Sequence, residues 1–169
     1  MEQADDFLLA DNWHGHWYEL AIQLGPRTDL AADARLESAQ RAIWASAAVE
    51  GCYLDRRQEP SAQPRLLAGE LELAPSGLSF VYGWAQIPQG RLVCLTCFVR
   101  EEGPDGSDWL DLCLPEGALG RVEPRLYEDH RGGDSWAWRQ TVDAWFVEVA
   151  RNVARSVAFE RAIIGEDVS

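Results

Sequence analysis

His14 and His16 stand one residue apart in Asn12-Trp13-His14-Gly15-His16-Trp17-Tyr18. On a β-strand that spacing points both imidazoles to one face, where two neutral ring nitrogens can reach one ion. The third histidine, His130, lies in Tyr127-Glu128-Asp129-His130, so Asp129 or Glu128 can add a carboxylate. Such a set suits zinc or a similar divalent metal, and its bound water would act in hydrolysis. The competing reading is structural. His14 and His16 begin the alternation that continues as Tyr18, Leu20, Ile22 and Leu24, and histidines at the rim of a core need no metal. Without a third ligand fixed by spacing, the structural reading leads and the metal site is the alternative.

Cys94-Leu95-Thr96-Cys97 matches a redox C-x-x-C by spelling. That chemistry needs the first cysteine at a helix N-terminus, where its pKa falls. Here the pair sits in an apolar strand run, so the two side chains point to opposite faces and read as buried thiols. The chain has no G-x-S-x-G elbow and no phosphate-loop or dinucleotide fingerprint. Gly132-Gly133 before a helix offers amides to an anion, but Glu128, Asp129 and Asp134 beside it repel one. Glu70 and Glu72 share the solvent face of a strand, and Asp108 and Asp111 point to opposite sides, so neither pair defines a catalytic cleft.

The aromatic content is more telling. Eight tryptophans are too many to bury fully with ease, because each indole is large and its N–H wants a partner. Trp138 and Trp145 fit a helix core stripe; Trp13, Trp17 and Trp136 fall off the apolar faces. With Tyr18 they are the candidate anchors of an interface or ligand groove. A small-ligand pocket lined by Trp138, Tyr82 and Trp84 is a lesser reading.

These residues must be positioned by a short list of elements. Residues 1–12 read as a loosely ordered polar lead-in. A strand follows over Trp13 to Leu24 and stops at Gly25-Pro26. Thr28 or Asp29 caps a helix over Leu30 to Ser46, with Leu36, Ile43 and Ala47 at helical spacing. Ala48 to Asp55 returns as a strand, which makes a βαβ-like unit. Gly69 to Leu73 reads as a short strand. Leu78 to Ile87 and Arg91 to Arg100 form a hairpin, apolar on both faces, as in the middle of a covered sheet. Asp108 to Leu114 is another strand, and Pro115 to Gly133 is irregular. Asp134 or Ser135 caps a long helix to Ile164, through Trp138, Val142, Trp145, Val149 and Val153. Gly165 stops it, and residues 165–169 fray. The sum is one α+β domain spanning 1–169: a mostly antiparallel sheet of five or six strands with the helices on one face. The second sheet face needs a cover, either Pro115–Gly133 or a second copy of the chain.

The 169 residues suit a single core. Fifteen basic residues, all arginine, face 28 acidic ones, for a net charge of −13. That balance disfavours nucleic acid and anionic membrane surfaces and favours a basic protein partner. No apolar run reaches the roughly 18 to 20 residues of a membrane span. The start, Met1-Glu2-Gln3-Ala4-Asp5-Asp6, lacks a signal-peptide pattern, so the expected compartment is the cytoplasm and the four cysteines are expected as thiols. The leading expectation is an acidic interaction or adaptor module with no catalytic motif identified and no cofactor, binding a basic protein or itself. The alternative is a small metal-dependent hydrolase on His14, His16, His130 and Asp129.

Overall fold

A computed structural model of the chain describes residues 6–28, 31–73, 77–103, 105–123 and 137–168. The elements in order are β1 (Trp17–Pro26), α1 (Ala32–Ser46), β2 (Glu50–Tyr53), β3 (Gly77–Ile87), β4 (Gly90–Arg100), β5 (Ser107–Pro115), α2 (Glu116–Val122), α3 (Ala137–Ser156) and β6 (Arg161–Glu166). A 3-10 turn over Ala10–Trp13 precedes β1. The strands make one sheet in the order β2-β3-β4-β5-β1-β6, with every neighbouring pair antiparallel. The fold is therefore α+β.

Alternation assigns the two sheet faces. On one lie Tyr18, Leu20, Ile22 and Leu24 of β1, Leu110, Leu112 and Leu114 of β5, and Leu92, Cys94 and Phe98 of β4. α1 covers this face with Leu36, Ala39 and Ile43, and α3 with Trp138, Val142, Phe146, Val149 and Val153. The α3 residues recur every three or four positions, so one apolar stripe faces the sheet. The opposite face carries Leu95, Cys97 and Cys113, with Trp17, Tyr82 and Val99 around them. Phe7, Trp13 and α2 pack over its Trp84–Val93 end. Leu78 and Phe80, at the other end of β3, are exposed.

Several elements differ from the sequence reading. β1 and β2 run in the same direction and are joined through α1, but β3, β4 and β5 lie between them, so the βαβ-like unit spans the sheet without pairing its own strands. The long helix ends at Ser156, eight residues before Ile164, and residues 161–166 form β6. The β-branched pair Ile163-Ile164 favours extended backbone, and pairing there gives β1 a second neighbour. Glu116–Val122, inside the stretch read as irregular, is helical. Gly117 and Gly120 lower its intrinsic propensity, but a side chain at Gly117 would run into the Asp11 carbonyl and the His14 ring, so the close approach requires glycine. Residues 69–73 join no ladder, although Leu71 and Leu73 pack on the core while Glu72 faces solvent. Phe7, within the segment read as a lead-in, is completely buried.

Candidate functional site

The histidine geometry is unlike the strand picture. Gly15 has φ of +85°, so the chain turns between the two histidines and β1 begins only at Trp17. Both rings are exposed and each has its own partner. His14 Nδ1 donates to the Asp11 carbonyl. His16 Nδ1 donates to Asp167 Oδ2 at 2.6 Å. Asp167 also accepts from the Trp17 amide at 3.0 Å, and its own amide donates to the Trp17 carbonyl at 2.9 Å. Glu116 Oε2 accepts from the His16 amide at 3.2 Å. His16 thus fastens the end of β6 to the start of β1. The one-face argument for a metal site fails on Gly15. Among the described residues no group of three or more His, Cys, Asp or Glu could hold an ion. His130 and Asp129 lie outside the described residues.

Hydrogen bonding to Asp167, then its charge, raises the His16 pKa above 6.5. Asp167 is lowered, first by the Trp17 amide and then by His16. The His16 contribution to stability is full below its unfolded value and is lost as pH rises through the raised one. The proton resonance of His16 will therefore titrate above pH 6.5, and Asp167→Asn will bring its midpoint down. An unchanged midpoint in that variant would remove Asp167 as the cause.

Two of the aromatic anchors belong to the core. Trp13 is buried because the 3-10 turn tucks its indole under Tyr82, where Nε1 donates to the Phe7 carbonyl at 2.6 Å. Tyr18 is buried on the helical face, with its ring on Trp138 and its hydroxyl donating to the Asp143 carboxylate. Trp17 is half-buried at the rim of the second face, and Trp136 lies outside the described residues. Trp138 is on the helical face while Tyr82 and Trp84 are on the other, so these three do not line one cavity.

Cys94 joins the helical-face core and Cys97 the opposite cluster, as strand alternation requires. All four thiols are free and buried. Burial pushes Cys52 and Cys97 up to about 12 and holds Cys94 and Cys113 well above the ordinary thiol value. Cys113 donates to Glu19 Oε2 at 3.3 Å, and Asp111 lies opposite Cys97 in the ladder. Cys97 and Cys113 are diagonal neighbours on one face, at about 7–8 Å, which is too far for a disulfide. An aromatic disulfide reagent at pH 8 will find almost no reactive thiol in the native chain and four in denaturant. Fast reaction of the native chain would contradict this packing.

The sequence reading missed a groove between α1 and the segment 69–73. It encloses about 270 Å³ and is lined by Leu36, Leu71, Leu73 and Phe98 together with Asp33, Glu37, Gln40, Gly69 and Arg100. Gln40 is only 3% exposed. Its Oε1 accepts from the Gly69 amide at 3.1 Å, while its Nε2 is buried without a hydrogen-bond partner among the described residues. Such a donor lacks its usual compensation and calls for an acceptor. Arg100 lies between the Asp33 carboxylate and the fully buried Asp108, with Nε 3.4 Å from Asp108 Oδ1. Burial raises the Asp108 pKa, and Arg100 opposes that rise. Asp33 is 88% exposed at the rim, and Glu37 beside it pairs with Arg41 at 2.6 Å. Glu70 and Glu72 are exposed along the same wall. The one signal in the sequence was the alternation of Glu70 and Glu72 with Leu71 and Leu73.

Fold and groove together define an α+β domain with an acid-rimmed, apolar-walled cleft on its helical side. Comparison with family models, curated proteins and solved structures finds no match to this chain. No described helix is long and apolar enough to cross a membrane.

Proposed function

We propose that the chain is a protein-interaction module that takes a basic segment of a partner protein in the groove between α1 and residues 69–73. The observation that carries this reading is the buried Gln40 amide, which has no acceptor among the described residues and is set among leucines beneath an acidic rim. A peptide backbone carbonyl would satisfy Nε2. The aliphatic stem of an arginine or lysine would lie on Leu36, Leu71 and Leu73, and its charge would meet Asp33 and Glu37. The chain's charge of −13 would attract such a segment at long range.

The test is a titration with an octa-arginine peptide, followed by amide spectra at low and high salt. The side-chain NH₂ of Gln40 and the Gly69 amide will shift, and binding will weaken as salt rises. Asp33→Asn and Glu37→Gln change exposed charges and will each weaken binding by about 1.5- to 5-fold. Shifts elsewhere that leave Gln40 and Gly69 unmoved would overturn the groove as the site. No binding at low salt would overturn the reading itself.

A further inference from the structure

We infer that the edge of β6, uncovered among the described residues, pairs with β6 of a second copy of this chain and extends the sheet across a two-fold axis. This goes beyond the groove, with which β6 shares no residue. The phase of the ladder shows which backbone groups are open. The Asp167 amide donates to the Trp17 carbonyl just past the end of β6, so Glu19/Gly165 and Ala21/Ile163 are the hydrogen-bonded pairs of β1 and β6, and at the other end the Gln23 carbonyl accepts from the Glu160 amide. The bond from the Glu116 amide to the His16 carbonyl fixes the same phase from the β5 side, because it turns Tyr18, Leu20 and Ile22 towards β5. The N–H and C=O groups of Ala162, Ile164 and Glu166 therefore point away from β1, on the outer edge of the sheet.

Edge strands are usually blunted by proline, a bulge or a central charge. β6 has none of these: its middle reads Ala162-Ile163-Ile164-Gly165, and its pairing with β1 is unbroken. The other edge is different. The Leu66 amide donates to the Cys52 carbonyl and Arg65 Nε to the Gly51 carbonyl, so the chain itself covers β2.

Charge selects the register. A two-fold normal to the sheet keeps each side chain on its own face, so residue numbers in opposed pairs must sum to an even value. Within each chain Glu166 pairs with Arg139 at 3.1 Å and Asp167 with His16 at 2.6 Å. Centring on Ile164 places the uncharged Ala162 opposite the partner subunit's Glu166, with no like charges opposed, and Arg161 opposite the partner subunit's Asp167. Centring on Ile163 places Glu160 directly against the partner subunit's Glu166, and like charges directly opposed are unfavourable. The first register is the self-complementary one.

The experiment is sedimentation equilibrium of the full chain over micromolar to millimolar concentration, with two variants at the exposed Ala162. A chain of 18.9 kDa should approach twice that mass as concentration rises. Ala162→Arg faces Glu166 twice per dimer and should tighten association by about 2- to 30-fold, and Ala162→Glu should weaken it by a similar factor. Circular dichroism and thermal melts of both variants report that the fold is kept. Amide exchange at Ala162 and Ile164 should slow as dimer forms. A chain that stays at 18.9 kDa throughout overturns the proposal. So does a dimer whose affinity is indifferent to the sign of the charge at 162, because it must use another surface.

Discussion

Phe7→Ala will lower the free energy of unfolding by about 3–5 kcal/mol, as large as any single truncation in the core. Phe7 is 0% exposed although it lies within seven residues of the start of the chain. Its ring meets Trp13 and Tyr53 edge-on, with centroids 5.6 Å away in both cases, and packs against Trp84 at 5.0 Å. Its carbonyl holds the Trp13 indole. Removing the ring thus opens a cavity between the N-terminal segment, β2 and β3. It also loosens the turn that places His14 and His16. Urea unfolding followed by tryptophan fluorescence measures the loss. Leu8→Ala is the control, since Leu8 is exposed and should cost less than about 1 kcal/mol. Equal and small effects at both positions would mean that the N-terminal segment unfolds separately from the sheet.

That segment also shows what the sequence did and did not disclose. The hairpin of β3 and β4 was legible because both strands are apolar on both faces and a short polar turn separates them. β1 was legible from its alternation over Tyr18 to Leu24, but its start was not. Only a tertiary contact, the fit of Gly117 against residues 11–14, explains why the chain turns at Gly15. A strand reading carried back across Gly15 put the two imidazoles on one face, and the metal argument rested on that. β6 was hidden for a related reason. Val157 and Ile164 continue the spacing of the helix stripe, and nothing local reveals that β1 has an edge left to pair. The buried polar groups were the least legible. Glu19 meets Cys113 across 94 residues of sequence, and the mostly buried Arg100 reaches the exposed Asp33 across 67. The groove brings together residues 33–40, 69–73 and 98–100, so no local motif announces it.

Arg100→Ala is the second large effect, up to about 3–5 kcal/mol at neutral pH, because it takes from the buried Asp108 carboxylate the arginine that acts on it most strongly and leaves only Arg35 and Arg27. Asp108 is 0% exposed and Arg100 only 15%, so water cannot readily replace the lost partner. The sign of the pH dependence follows from the raised Asp108 pKa. A carboxyl whose folded pKa lies above its unfolded value contributes stability below the unfolded value and loses it as pH rises through the folded one. Arg100 limits that loss in the native chain. Without it the folded pKa climbs further, and the loss at neutral pH grows. The deficit of Arg100→Ala relative to the native chain will therefore be small near pH 4 and full near pH 7. Asp108→Asn added to Arg100→Ala removes the charge at fault and should recover part of the stability at pH 7 while changing little at pH 4. A double variant as unstable as Arg100→Ala at both pH values would place the role of Arg100 in its bond to Asp33 and its packing under the groove. The Arg100–Asp33 pair then supports the wall of the groove. In that case the octa-arginine titration should show Arg100→Ala losing the Gln40 shift before it loses the fold.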